Sequence, residues 1–299
     1  MQKMPGIKIV ADEHDLCGEC PMWNADSGTL CWVDITGGKF HTLPWLERSV
    51  QTIAPDIAIS GFAFHESGGL VAAGAEGVWL WNGEAKMLLA REFEGETLAI
   101  NDCLADARGR LLAGSTFFDG SDSYPPGKLY CMDTDGSISV LDSGFRLANG
   151  MGFSPDHRTL YVTDSAERRI YTYDYDLSTA RVHRRRTFVV VPSHEGLPDG
   201  LTVDAEGYVW SAQWFGGCLC RYDPQGVLEQ RIPVPADQVS SLTFGGPDLT
   251  DIFVTSAAQL DALALAPPGY GSSGSVGGPL FHLNLGIAGR LEFRCSIVK

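Results

Sequence analysis

The chain has 299 residues, 44% of them hydrophobic and 20% charged, which excludes a disordered chain and leaves room for one large domain or two ordinary ones. Its net charge of −15 argues against nucleic acid as a partner, because that binding rests on neutralising phosphates with Lys and Arg. The same acidity suits a site that holds a cation.

The first ten residues carry no apolar run long enough for a signal peptide, and no stretch approaches a membrane span. No membrane association is expected, and the cytoplasm is the expected location. The eight cysteines are then expected to be reduced and mostly buried.

In chain order, "GIKIVA" from Gly6 reads as a strand. "CGECPMW", Cys17 to Trp23, has the C-x-x-C spacing of redox centres and of half a zinc site. No second pair completes a zinc site, and Pro21 and a strand-like run follow where a redox motif would open a helix. A recurring unit then begins: an apolar start, a turn with Asp, Gly, Pro or Asn, and a second short apolar strand. It reads "MWNADSGTLCWVD" from Met22, "FAFHESGGLVAAG" from Phe62 and "CLADARGRLLAGS" from Cys103. It returns as "MGFSPDHRTLYVTD" from Met151, "LTVDAEGYVWSAQ" from Leu201 and "LTFGGPDLTDIFVTS" from Leu242. Most copies are followed by a third, aromatic-rich strand, such as "GVWLWNG" or "RIYTYDYD".

The basic run Arg181 to Arg186 lies between strand-like segments and reads as a solvated edge or loop. Cys218 and Cys220, in C-x-C spacing, would share one face of a strand. The helix-like stretch at Asp261 is short and ends at Pro267. "RLEFRCSIV" near the end is again strand-like.

Repeats of about 40 to 50 residues, each supplying about four strands, predict an all-β, six-bladed β-propeller over residues 1–299 as a single domain, with a metal site at the central channel. "GIKIVA" and "RLEFRCSIV" are expected to share blades with the sixth and first copies. A two-sheet sandwich is the competing architecture, and it has no reason to repeat at this period.

Just ahead of four copies stand unusual polar residues: Glu19, Asn101-Asp102, Asn149-Gly150 and Asp199-Gly200. Ser60-Gly61 and Ser240-Ser241 precede the other two. Singly, Asn-Gly and Asp-Gly are turn dipeptides. Recurring at one point of the repeat, they point to a shared site. Two carboxylates and an amide gathered there would repel without a cation. Oxygen-only ligands suit one divalent ion such as Ca²⁺, Mg²⁺ or Mn²⁺, with Zn²⁺ and Fe²⁺ admitted. Three protein ligands would leave positions for water and substrate.

These motifs carry a resemblance. "GECPMW" at 18–23, "ND…D-x-x-G" from Asn101, "NG" with "SPD" at 149–156 and "PDG…D-x-E-G-x-x-W" from Pro198 to Trp210 resemble the SMP-30/gluconolactonase/luciferin-regenerating-enzyme family, with a late "FGGPD" at 244–248. Bacterial aldonolactonases look most alike. The resemblance implies metal ligands at Glu19, Asn149 and Asp199, with Asp199 also the catalytic base. It implies substrate contacts at Asn101 and Asp119, and a small-molecule sugar lactone as substrate. Two positions depart from the pattern: Cys20 stands where the family usually has Gly, and Ala99 where many members have Arg. Trp214, Phe215, Phe117 and Phe118 are candidates either for a pocket wall or for blade packing.

Serine chemistry is the rival enzyme class, but no G-x-S-x-G occurs, and of seven histidines only His194 lies close in sequence to a candidate residue. A calcium-binding or interaction propeller is the non-enzyme alternative, and an esterase acting on a non-sugar lactone the other. Nothing requires a partner chain, so a monomer is expected.

Overall fold

The computed structural model describes residues 6–115, 125–260, 262–271 and 277–298. It is all-β: one 3₁₀ turn, Leu263–Leu265, is the only helical element among the described residues. Six four-stranded antiparallel sheets follow the six repeats. Five are meanders in chain order, led by Gly18–Asn24, Gly61–Phe64, Ile100–Ala105, Ala148–Phe153 and Leu197–Val203. The sixth is led by Val239–Gly245, continues through Asp251–Ser256 and Leu280–Asn284, and takes its outer strand, Lys8–Ala11, from the other end of the chain. These sheets are the blades of a six-bladed propeller arrangement, as the repeat period predicts. A two-residue hairpin, Glu92–Phe93 with Glu96–Thr97, lies between the second and third blades in sequence.

The chain divides into two compact units. One holds the residues up to Ala54 and Ser193–Leu291, hence the first, fifth and sixth blades; the other holds Pro55–Pro192 and the residues from Glu292, hence the second, third and fourth. In the first unit Trp210, Leu219, Ile252, Val254, Phe281 and Leu283 form one buried cluster, and Trp23, Trp32, Trp45 and Phe253 another. In the second unit Leu111, Ala113, Tyr130 and Ile297 pack together, and Leu112, Leu129, Phe145 and Tyr173 form a neighbouring cluster.

The hairpin turns explain why the repeat carries Asp-x-x-Gly. Asp106 Oδ1 accepts the N–H groups of Arg108 and Arg110, and Gly109 takes φ +80°. Asp204 Oδ1 does the same for Glu206 and Tyr208, with Gly207 at φ +87°. The aspartate supplies the turn's missing acceptor and glycine its left-handed residue. The other carboxylate oxygen of each buried Asp is held by an arginine: Asp106 Oδ2 takes Arg110 Nε at 2.7 Å, and Asp204 Oδ2 takes Arg221 Nη2 at 2.7 Å.

The N-terminal strand joins the sixth blade as expected. The C-terminal segment does not join the first. "RLEFRCSIV" makes no strand; Cys295 forms a single bridge with His65 of the second blade, and Ser296 N–H donates to Gly109 O of the third. The alternation that reads as a strand is instead an apolar seam: Cys295 and Ile297 are fully buried in the second unit's core. The basic run is a solvated edge, as expected: it opens the outer strand Arg181–Val190, and Arg184 and Arg186 pair with Asp174. None of the eight cysteines forms a disulfide.

Candidate metal and substrate site

The leading strands of the first, third, fourth and fifth blades carry the candidate residues, and those of the second, fourth, fifth and sixth blades are buried along their whole length. Five of the six leading strands bear a β-bulge at the candidate position or directly after it, and the second blade's pairs without one. In the first blade Gly18 pairs with Asp34, Glu19 with Val33, and the next pair is Met22 with Cys31. In the third, Ile100 pairs with Ser115, and then Asp102 with Gly114. The fourth passes from Ala148–Asp164 to Met151–Val162, and the fifth from Pro198–Gln213 to Leu201–Ser211. The sixth passes from Val239–Ser256 to Ser241–Thr255. In every case the leading strand has one residue more than its neighbour. A bulge breaks the strict alternation and re-aims a side chain, and such bulges recur beside active sites.

Glu19, Asn101, Asn149 and Ser240 each directly follow the residue paired to the end of the second strand, whereas Asp199 lies one residue farther in, since Leu197 takes Trp214 and Pro198 takes Gln213. Cys20 lies inside the first bulge with φ +46°, a left-handed conformation that suits glycine better. Its N–H donates to Glu19 Oε2 at 2.9 Å.

Within the first unit, the leading strand of the sixth blade packs against those of the first and fifth, so Glu19 and Asp199 flank it on either side. Asp199 is 5% exposed. Gly200 admits no side chain, since a Cβ there would lie 2.2 Å from Ser241 Oγ. The segment before Glu19 is held by two buried aspartates. Asp34 Oδ1 accepts Cys17 N–H at 2.9 Å, and Asp15 Oδ2 accepts Trp32 Nε1–H at 2.8 Å, with His41 Nε2 3.0 Å from its other oxygen. Cys17, Gly37 and Leu16 N–H groups and the Lys39 charge draw the Asp34 carboxyl below its usual value despite burial, which opposes them.

Within the second unit, Asn101 Nδ2–H donates to Ala148 O at 2.9 Å, so the substrate candidate bonds the residue next to Asn149. Asn149 is 8% exposed. Its Nδ2–H donates to Ser165 Oγ at 3.2 Å, and its Oδ1 accepts Gly150 N–H at 3.1 Å. Asp164 repeats the role of Asp34: it accepts Arg146 and Leu147 N–H at 3.0 Å each, just ahead of the site residue. Burial pushes the Asp102 carboxyl up to about 7; Cys103 N–H, donated to it at 2.7 Å, opposes the rise and the Glu292 charge adds to it.

The candidate set is thus divided two and two between the units: Glu19 with Asp199, and Asn101 with Asn149. The described residues contain no group of three or more His, Cys, Asp and Glu placed to hold a metal. The expected ligand set has only two such residues, its third being the Asn149 amide. Two carboxylates and an amide oxygen are hard donors and fit a divalent cation of the Ca²⁺, Mg²⁺ or Mn²⁺ kind. Asp119, with Phe117 and Phe118, lies outside the described residues. Trp214 and Phe215 join a cluster with Leu197, Ala257 and Tyr270. Ser165, Asp15 and Asp34 are not recognisable as supports from the sequence, because single Ser and Asp residues at strand ends read as turn chemistry.

A family model, the SMP-30/Gluconolactonase/LRE-like region, matches residues 17–258, and the chain belongs to that family. It is 36% identical to a protein of Haloferax volcanii named pentonolactonase XacC, over 97% of this chain and 98% of the relative. It is 35% identical to regucalcin of Xenopus laevis, over 86% of this chain and 89% of that protein. Among solved structures, a luciferin-regenerating enzyme superposes with a TM-score of 0.88 at 26% identity, covering 98% of this chain and all of the other. No helix among the described residues is long and apolar enough to cross a membrane.

Proposed function

We propose that this chain is a divalent-metal-dependent lactonase that opens a sugar (aldono) lactone to its aldonic acid. The observation that carries the reading is the recurrence of one-residue bulges at Asn101, Asn149 and Asp199 and directly after Glu19. A scaffold gains nothing from four oxygen or amide side chains set in or beside recurring bulges. The relative named pentonolactonase, matched over nearly the full length of both chains, supports the reaction class.

In this reading Glu19, Asn149 and Asp199 hold one divalent ion. When bound, the ion supplies a Lewis acid that polarises the ester carbonyl. Asp199 takes the proton from the attacking water as general base, and its burial keeps competing water from that carboxylate. Asn101, braced by its bond to Ala148 O, presents its amide oxygen to a substrate hydroxyl. Asp119 is the second proposed substrate contact. Ala99 cannot replace the arginine many members carry, so substrate hydroxyls are held by other groups here. The protein acts as a monomer on a small molecule.

Replacing Asp199 by Ala is expected to abolish turnover on aldonolactones. Hydrolysis at the wild-type rate in that variant would remove Asp199 from the catalytic role.

A further inference from the structure

The sixth blade carries a serine where the first and fifth carry the carboxylates. Ser240 lies inside its blade's bulge as Asp199 does in the fifth, on the strand lying between those of Glu19 and Asp199. Its side chain is fully buried and committed: Oγ–H donates to Gly18 O at 2.5 Å and lies 3.0 Å from Thr255 Oγ1. Gly18 is the residue before Glu19. On the opposite side, Ser241 abuts Gly200, the residue after Asp199, so closely that a Cβ at Gly200 would lie 2.5 Å from the serine's own Cβ. Two consecutive serines therefore reach the two carboxylate-bearing segments, one by a hydrogen bond and one by close contact.

We infer that Ser240 is a positioning residue for the cation site: it fixes the Glu19 segment against the strand that Asp199 packs on, and so sets the separation of the two carboxylates. The inference rests on the proposed ligand role of Glu19 and Asp199. The chemistry is that of an outer-sphere partner. A cation site loses affinity when its ligands must be brought together at the moment of binding, and removing such a partner typically costs about 10- to 100-fold in metal affinity. Glu19 belongs to a strand whose next residue, Cys20, has left-handed geometry, so a lost tether at Gly18 leaves the local backbone less determined.

The test is a titration of metal-stripped protein with Mn²⁺ alone, followed by electron paramagnetic resonance of the free ion, on wild type, Ser240→Ala and Thr243→Val. Thr243 lies on the same strand, is equally buried, and its hydroxyl bonds Phe244 O rather than the Glu19 segment. Ser240→Ala is expected to weaken Mn²⁺ binding about tenfold, while Thr243→Val stays within about twofold of wild type. Equal affinity in wild type and Ser240→Ala would overturn the inference, and so would equal weakening in both variants, which would mark general loosening of the blade. Wild-type protein that takes up no Mn²⁺ would overturn this inference together with the proposed cation site. A tenfold loss in Ser240→Ala, beside a wild type that hydrolyses no lactone, would sustain the positioning role and remove the lactonase reading alone.

Discussion

Asp102 offers a pH signature that its neighbours make quantitative. Its carboxyl is raised from an ordinary 3.8 to about 7, by burial first and by the charge of Glu292, with Cys103 N–H working the other way. Between those two values the folded chain binds a proton at this site that the unfolded chain has released. Stability from this group is therefore complete below pH 3.8, falls as pH rises, and is lost once pH passes about 7. At about 1.4 kcal/mol per tenfold change in proton affinity, the loss is roughly 4 kcal/mol. Asp102→Asn keeps an acceptor for Cys103 N–H and cannot ionise. Denaturant unfolding of metal-free wild type and variant, from about pH 4.5 to 8.5, should show the variant gaining on wild type by several kcal/mol as pH rises. A difference that stays constant across that range would refute the account of Asp102.

Other outcomes follow from the close contacts and the strained backbone. Gly200→Ala places a methyl 2.2 Å from Ser241 Oγ and 2.7 Å from its Cα, so the two leading strands must part. The expected cost is about 1–3 kcal/mol in denaturant unfolding, and Ser241→Gly should recover part of it; strictly additive effects would contradict the contact. At Cys20, held at φ +46°, glycine should be tolerated, whereas Cys20→Val should cost more than about 2 kcal/mol, because a β-branched residue resists that conformation. Thermal unfolding of the two variants checks the order, and a valine variant as stable as the glycine one would contradict it.

The fold was legible because a propeller repeats. Six copies of an apolar strand, a turn rich in Asp, Gly or Pro and a second apolar strand cannot arise from a single local preference, and their period marks out the blades directly. The same copies located Glu19, Asn101, Asn149 and Asp199. Simple counting left Glu19 out of step with the rest, and the pairing shows why: Glu19 is laddered to Val33 and the extra residue follows it, whereas Asn101, Asn149 and Asp199 lie inside their bulges. The C-terminal segment was misread because "RLEFRCSIV" alternates like a strand. Alternation reports burial on one side, and here Cys295 and Ile297 fill a seam between existing elements without a ladder to join. Supports such as Ser165 and Asp34 were not legible, since their partners lie 16 and 17 residues away on the neighbouring strand or its approach. Ser240 was visible as a residue and invisible as a tether, because Gly18 lies 222 residues from it.

The central claim is that this chain opens sugar lactones with a divalent ion held by Glu19, Asn149 and Asp199. The most direct test is a pH-indicator assay on metal-stripped protein, with a panel of aldonolactones and Ca²⁺, Mg²⁺, Mn²⁺, Zn²⁺ or Fe²⁺ restored one at a time. The account predicts acid release from at least one aldonolactone that disappears on stripping and returns with a divalent ion. Rates indifferent to stripping, or metal uptake with no release from any lactone in the panel, would contradict it.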